Sequence, residues 1–104
     1  MYFGYKYYGD YPSYYDLFMS FKSKINMEIK YCVPWGYHGV AAWMVAEFYS
    51  VGSGDIAITL TPGDSGVLKV ILDDEEIYDK KEENGETPTL ARMKELKAIV
   101  KAKL

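Results

Sequence analysis

The chain has 104 residues, of which 49% are apolar and 26% charged, with a net charge of −3. That length suits one domain, and the apolar share is too high for a disordered tail. No apolar run approaches the roughly 20 residues needed to cross a bilayer, so no membrane partner is expected. An acidic balance of twelve basic against fifteen acidic side chains argues against nucleic acid as a partner. The single Cys32 excludes an internal disulfide and a Cys-rich zinc site, and the single His38 leaves little scope for His-based metal binding or a Ser–His–Asp triad. Met1 to Asp10 lacks the apolar stretch and cleavage site of a secretory signal, which makes the cytoplasm the expected location.

The aromatic residues are unevenly placed: ten of seventeen lie in the first 21 positions, among them Tyr2, Tyr5, Tyr7, Tyr8, Tyr11, Tyr14 and Tyr15. Residues 1–26 hold three Lys and two Asp, so the net negative charge belongs to residues 27–104. The division expected is a Tyr-rich extension over 1–26 and a compact acidic domain over 27–104. Within the extension, Ser13 with Asp16 three residues on has the pattern of a helix cap. Tyr14, Leu17, Phe18, Phe21 and Ile25 then share one helical stripe, predicting an amphipathic helix from about Ser13 to Ile25. This stripe has two uses: packing on the domain's own sheet, or contact with a second copy or a protein partner, since Tyr is enriched at interfaces.

From Met27 to Val33, apolar residues alternate with Glu28, Lys30 and Cys32, the period of a strand. Pro34 and Gly36 break it. Tyr37, Val40, Ala41, Met44, Phe48 and Val51 then follow at helical spacing until Gly52-Ser53-Gly54. Trp43 and Met44, with Tyr37 and Phe48, read as core rather than as a cofactor box. Ile56, Ile58 and Leu60 alternate as a second strand, with Pro62 to Gly66 expected as a turn. The Pro62–Gly66 run is not a phosphate loop, because no Lys follows it and it feeds a strand. Val67–Leu72 and Glu76–Lys80 read as a hairpin around Asp73-Asp74-Glu75, with the acidic run to Glu76 solvated. Thr87 is the expected cap and Pro88 the first residue of a last helix, whose buried stripe is Leu90, Met93, Leu96, Val100 and Leu104.

Cys32 therefore stands at the end of a strand, ahead of a loop that leads into a helix. Free N–H groups and the positive end of a helix dipole stabilise a thiolate and make a cysteine reactive near neutral pH. The other reading is a buried cysteine acting as a small apolar residue. His38, near the first turn, either holds the thiolate by charge or hydrogen bonding or has no role. Cys32 and His38 lack the further ligands of a zinc site, so no metal is expected.

Glu28-Ile29-Lys30-Tyr31-Cys32-Val33-Pro34 and Gly36-Tyr37 resemble the active-site strand and loop of the selenoprotein W-related (Rdx) proteins. Ala42-Trp43, Pro62 to Val70, Ile77-Tyr78-Asp79-Lys80-Lys81 and the stretch from Leu90 to Leu104 are similar to that family's later elements, in the same order. The resemblance covers roughly residues 27–104 and implies a thioredoxin-like α/β fold: β-α-β-β-β-α, a four-stranded mixed sheet with two helices, to which the N-terminal helix is an addition. The first two strands are then parallel across the helix, as a right-handed crossover, and the last two form an antiparallel hairpin. Such sites often place a cis proline beside the cysteine, and Pro62 is the candidate by order.

The resemblance also implies a redox motif in which the position of Trp35 carries a second cysteine or a selenocysteine. With Trp35 there, a dithiol cycle is unavailable. What remains is monothiol oxidoreductase chemistry, with Cys32 as nucleophile, Tyr31, Val33, Pro34, Trp35, Gly36 and His38 around it, and glutathione or a protein thiol as partner. No cofactor is expected beyond that thiol. The alternative is a redox-inactive binding or oligomerisation module that uses the Trp35 loop or the aromatic extension.

Overall fold

The computed structural model describes residues 24–104. Strand β1 (Ile25–Cys32) leads through a turn to helix α1 (His38–Gly52), and a 3-10 turn (Ser53–Asp55) leads on to strand β2 (Ile56–Gly63). Strands β3 (Leu68–Leu72) and β4 (Glu75–Asp79) follow. A second 3-10 turn (Lys80–Glu83) and a loop then precede helix α2 (Leu90–Lys103). The sheet order is β2-β1-β3-β4, with β1 parallel to β2 and antiparallel to β3, and β3 antiparallel to β4. This is the mixed four-stranded arrangement that the resemblance implies.

Alternation builds the core. In β1, Ile25, Met27 and Ile29 are buried while Asn26 is exposed and Glu28 and Lys30 are half-buried. Register carries the same face across the sheet, setting Leu60, Ile29, Val70 and Tyr78 in one row. Against this face α1 places Ala41, Met44 and Phe48, and α2 places Met93, Leu96 and Val100, all in one cluster. Lys97 Nζ donates to Glu47 Oε1 at 2.7 Å and ties the two helices together. None of the helices among the described residues is long and apolar enough to cross a membrane.

Several elements differ from their expected bounds. The helix expected over Ser13–Ile25 lies outside the described residues except at its end, where Ile25 opens β1 instead. β2 runs through Pro62 and Gly63, which pair with Tyr31 and Cys32 rather than forming a turn. The reason is the direction of the backbone. Val33 N–H donates to the Gly63 carbonyl at 3.0 Å, so Gly63 faces β1. Its neighbour Pro62 must then face away, where the missing N–H costs the ladder nothing. Pro62 is also trans, as is every peptide bond among the described residues.

The β3–β4 hairpin turns on Asp73 and Asp74 alone, with φ of 48° and 70°, the left-handed pair of a two-residue turn. Helix α2 is capped by Thr89, whose Oγ1 accepts from Arg92 N–H at 3.1 Å, rather than by Thr87. Its phase is set by Met93, Leu96 and Val100, which leaves Leu90 one turn beyond the core and 78% exposed.

Candidate functional site

Cys32 is the last residue of β1, and the chain reverses immediately after it. Gly36 N–H donates to the Val33 carbonyl at 2.9 Å, closing a turn with Pro34 second and Gly36 fourth, the placements that such a turn favours. Gly36 takes a φ of 73° to leave this turn. Tyr37 N–H then donates to the Cys32 carbonyl at 3.1 Å, so the loop closes on the cysteine's own backbone before α1 begins. Helix α1 starts with no side-chain cap and no acidic residue in its first turn, leaving its N-terminal N–H groups without an internal counter-charge.

The side chains sort unevenly. Cys32 is 0% exposed, Tyr31 and Tyr37 are half-buried, and Val33, Pro34, Gly36 and His38 lie at the surface. Val33 is 52% and Trp35 59% exposed, the two large apolar groups that this loop presents to solvent. The structure thus brings the expected residues into one loop, while the thiol itself is closed off from solvent. His38, the first residue of α1, is exposed.

Trp35 is nevertheless held. Its ring meets Tyr37 edge-on, with centroids 5.9 Å apart. Lys80 Nζ lies 5.0 Å from the Trp35 centroid and 5.4 Å from that of Tyr37. Lys80 is only 8% exposed, and among the described residues its ammonium has one acceptor, the Gly85 carbonyl at 3.5 Å. The two aromatic rings therefore supply much of what faces this buried cation. The Trp35 ring also lies against Gly66, which is buried and has a φ of 75°. Gly66 and Lys80 are neighbours of Trp35 that the sequence reading assigned to a turn and a hairpin end. Lys80 lies in one of the blocks that carry the family resemblance, the one signal pointing to it.

No described residue joins Cys32 or His38 in a metal-ligating group. Among the described residues, Glu76, Asp79 and Glu82 bring carboxylate oxygens within 4.8 Å of one another. Lys69 Nζ stands 3.8 Å from Glu76 and 4.0 Å from Asp79 and compensates part of that charge. The other strong polar contact fastens the start of α2. Arg92 holds Glu83 through Nε and Nη2, with both Nε contacts within 3.2 Å, and lies over the Tyr78 ring at 5.9 Å.

The Rdx family model matches residues 26–102. A solved selenoprotein W-related protein from Vibrio cholerae superposes with a TM-score of 0.67 at 27% identity, covering 77% of this chain and 96% of that one. A Bordetella parapertussis protein does so with a TM-score of 0.60 at 25% identity, covering 77% and 92%. No curated protein matches the chain. The strand–Cys32–turn–helix unit, the sheet order and a family match over most of the length agree, and the chain belongs to the Rdx family of selenoprotein W-related, thioredoxin-like proteins.

Proposed function

We propose that the chain is a small cytoplasmic thiol-redox protein acting through Cys32 alone. The observation that carries this reading is the position of Cys32: the end of a strand, followed by a closed turn and an uncapped helix N-terminus. A strand end that leads into a helix N-terminus is the kind of position at which cysteines serve as nucleophiles. The thiolate attacks one sulfur of glutathione disulfide, forming the Cys32–glutathione bond and breaking the original S–S bond. The departing glutathione thiolate takes a proton from water. A second external thiol then attacks the mixed disulfide and returns Cys32 to its reduced form. Because Cys32 is 0% exposed, its cover must move before either attack.

The test is intact mass after exposure to oxidised glutathione across a pH series. One glutathione adduct at neutral pH, absent in Cys32→Ser, is the expected result. A folded protein that forms none, yet is labelled once denatured, would sink the proposal.

A second reading is a redox-inactive binding module that holds a protein through the Trp35 loop or residues 1–26. It is favoured by the contrast between the buried Cys32 and the exposed Val33 and Trp35. Cys32→Ser separates the two, since it abolishes the first activity and leaves the second intact.

A further inference from the structure

The sheet has two edges of opposite character. β4 presents Glu75, Glu76 and Asp79, is five residues long, and its pairing with β3 shifts register between Val70 and Ile71. Charge, shortness, irregularity and proline are among the means by which proteins keep edges from pairing. Of these β2 has only the proline, Pro62 near its end. It is eight residues long, reads Ile-Ala-Ile-Thr-Leu-Thr-Pro-Gly without a charge, and keeps one register from Ile56 to Gly63.

The free groups on this edge can be assigned residue by residue. Gly63 turns its carbonyl to Val33 N–H, and Asp55 turns its carbonyl to Lys24 N–H. Ala57, Thr59 and Thr61, of the same parity, therefore face β1 as well, while Ile56, Ile58, Leu60 and Pro62 face outward. Ile56 N–H is already given to the Ser53 carbonyl, and Pro62 has none. Among the described residues, the outward donors of β2 that lack a partner are thus Ile58 and Leu60.

This pattern is palindromic about Thr59. We propose that two copies of the chain associate by antiparallel pairing of their β2 edges, with Thr59 opposite Thr59. In that register Ile58 of each copy stands opposite Leu60 of the other, and each such pair exchanges two hydrogen bonds. Ile56 then faces Pro62, so the two positions that have no donor to offer meet each other. Asp55 and Asp64 fall opposite Gly63 and Gly54, so no like charges oppose. On the helix-packed face, the 45% exposed Leu60 gains an apolar cross-strand neighbour in Ile58. The exposed Thr59 lies on the other face, at a closely spaced position suited to a Thr–Thr contact. The product is one continuous eight-stranded sheet. This holds whether or not Cys32 reacts.

The test uses the whole 104-residue chain in sedimentation equilibrium across a concentration series. A rise from 11.9 kDa toward twice that mass is expected. Thr59→Lys and Thr59→Glu each weaken self-association by about fivefold or more, because like charges then meet on the two-fold axis. Mixing the two variants restores it, which only a register with residue 59 facing itself predicts. Amide exchange keeps the test open should a variant misfold. In the wild-type chain Ile58 and Leu60 gain protection with concentration, whereas Thr59 and Thr61 are protected throughout. A chain that stays at 11.9 kDa, a dimer indifferent to Thr59→Lys, or folded variants that mixing does not rescue would each overturn the proposal.

Discussion

Trp35 rests on Gly66 so closely that a Cβ on Gly66 would stand 2.7 Å from two carbons of the indole ring. The glycine has a second reason to be there, since its φ of 75° is one that side chains rarely adopt. Gly66→Ala is therefore expected to destabilise the fold by about 1–3 kcal/mol and to push Trp35 outward. Chemical denaturation reads the first effect, and a red shift of tryptophan emission, absent in a Gly66→Ala, Trp35→Phe double variant, reads the second.

Trp35 is held by an edge contact with Tyr37 and by the Lys80 ammonium. These are worth about 0.5–1.5 kcal/mol and about 0.5–1 kcal/mol respectively. If the ring holds the turn closed over the thiol, Trp35→Ala raises the rate of Cys32 alkylation in the folded protein by about tenfold, following the opening equilibrium. A rate unchanged from wild type would show that the ring and the sulfur are not coupled.

Lys80 is a buried cation with no carboxylate among its hydrogen-bond or ion-pair partners in the described residues. Replacing it by Met keeps the stem and leaves no opposite charge stranded, so Lys80→Met should lie within about 1 kcal/mol of wild type or be more stable. A loss of several kcal/mol in a urea titration would mean that the ammonium has a stronger partner.

Tyr78 supplies a pH dependence. Its phenol donates to the Glu86 carbonyl at 2.8 Å and is pushed up to about 12, first by burial and then by the nearby Glu83 carboxylate. A phenol with a raised folded pKa contributes stability that is complete below about 10 and is lost as pH climbs through about 12, roughly 3 kcal/mol in all. Tyr78→Phe should cost about 1 kcal/mol at neutral pH and flatten the decline between those limits, as thermal melts at a series of alkaline pH values would show.

How much of this was readable in the sequence depended on whether a residue's neighbours lay near it in the chain. The alternation at Met27 and Ile29 and the Ala41–Met44–Phe48 stripe are local signals, and both produced the core that they announced, whereas at the strand end the phase inverts, with Cys32 buried and Val33 exposed. Pro62 misled because a proline ends a strand only when its N–H is needed, and which way it faces is set by the bond from Val33 to its neighbour Gly63, thirty residues apart in the chain. Lys80 read only as a hairpin end, since nothing local shows that Trp35 and Tyr37 stand beside it. Cys32 was located as the end of a strand, but its complete burial belongs to the folded loop and has no counterpart in spacing.

The turn after Cys32 hangs from the fold by two bonds, Val33 to Gly63 and Tyr37 to Cys32. They differ in what breaking them undoes. The first is the terminal rung of the β1–β2 ladder and can fray without disturbing the pairs behind it, whereas the second ushers the chain into α1. Opening by the first route is the easier, so the two residues by which β2 outruns a shorter strand, Pro62 and Gly63, set how readily the turn lifts from the sheet. A chain that ended this strand at Thr61 would lose the first of these anchors and hold the turn by the second.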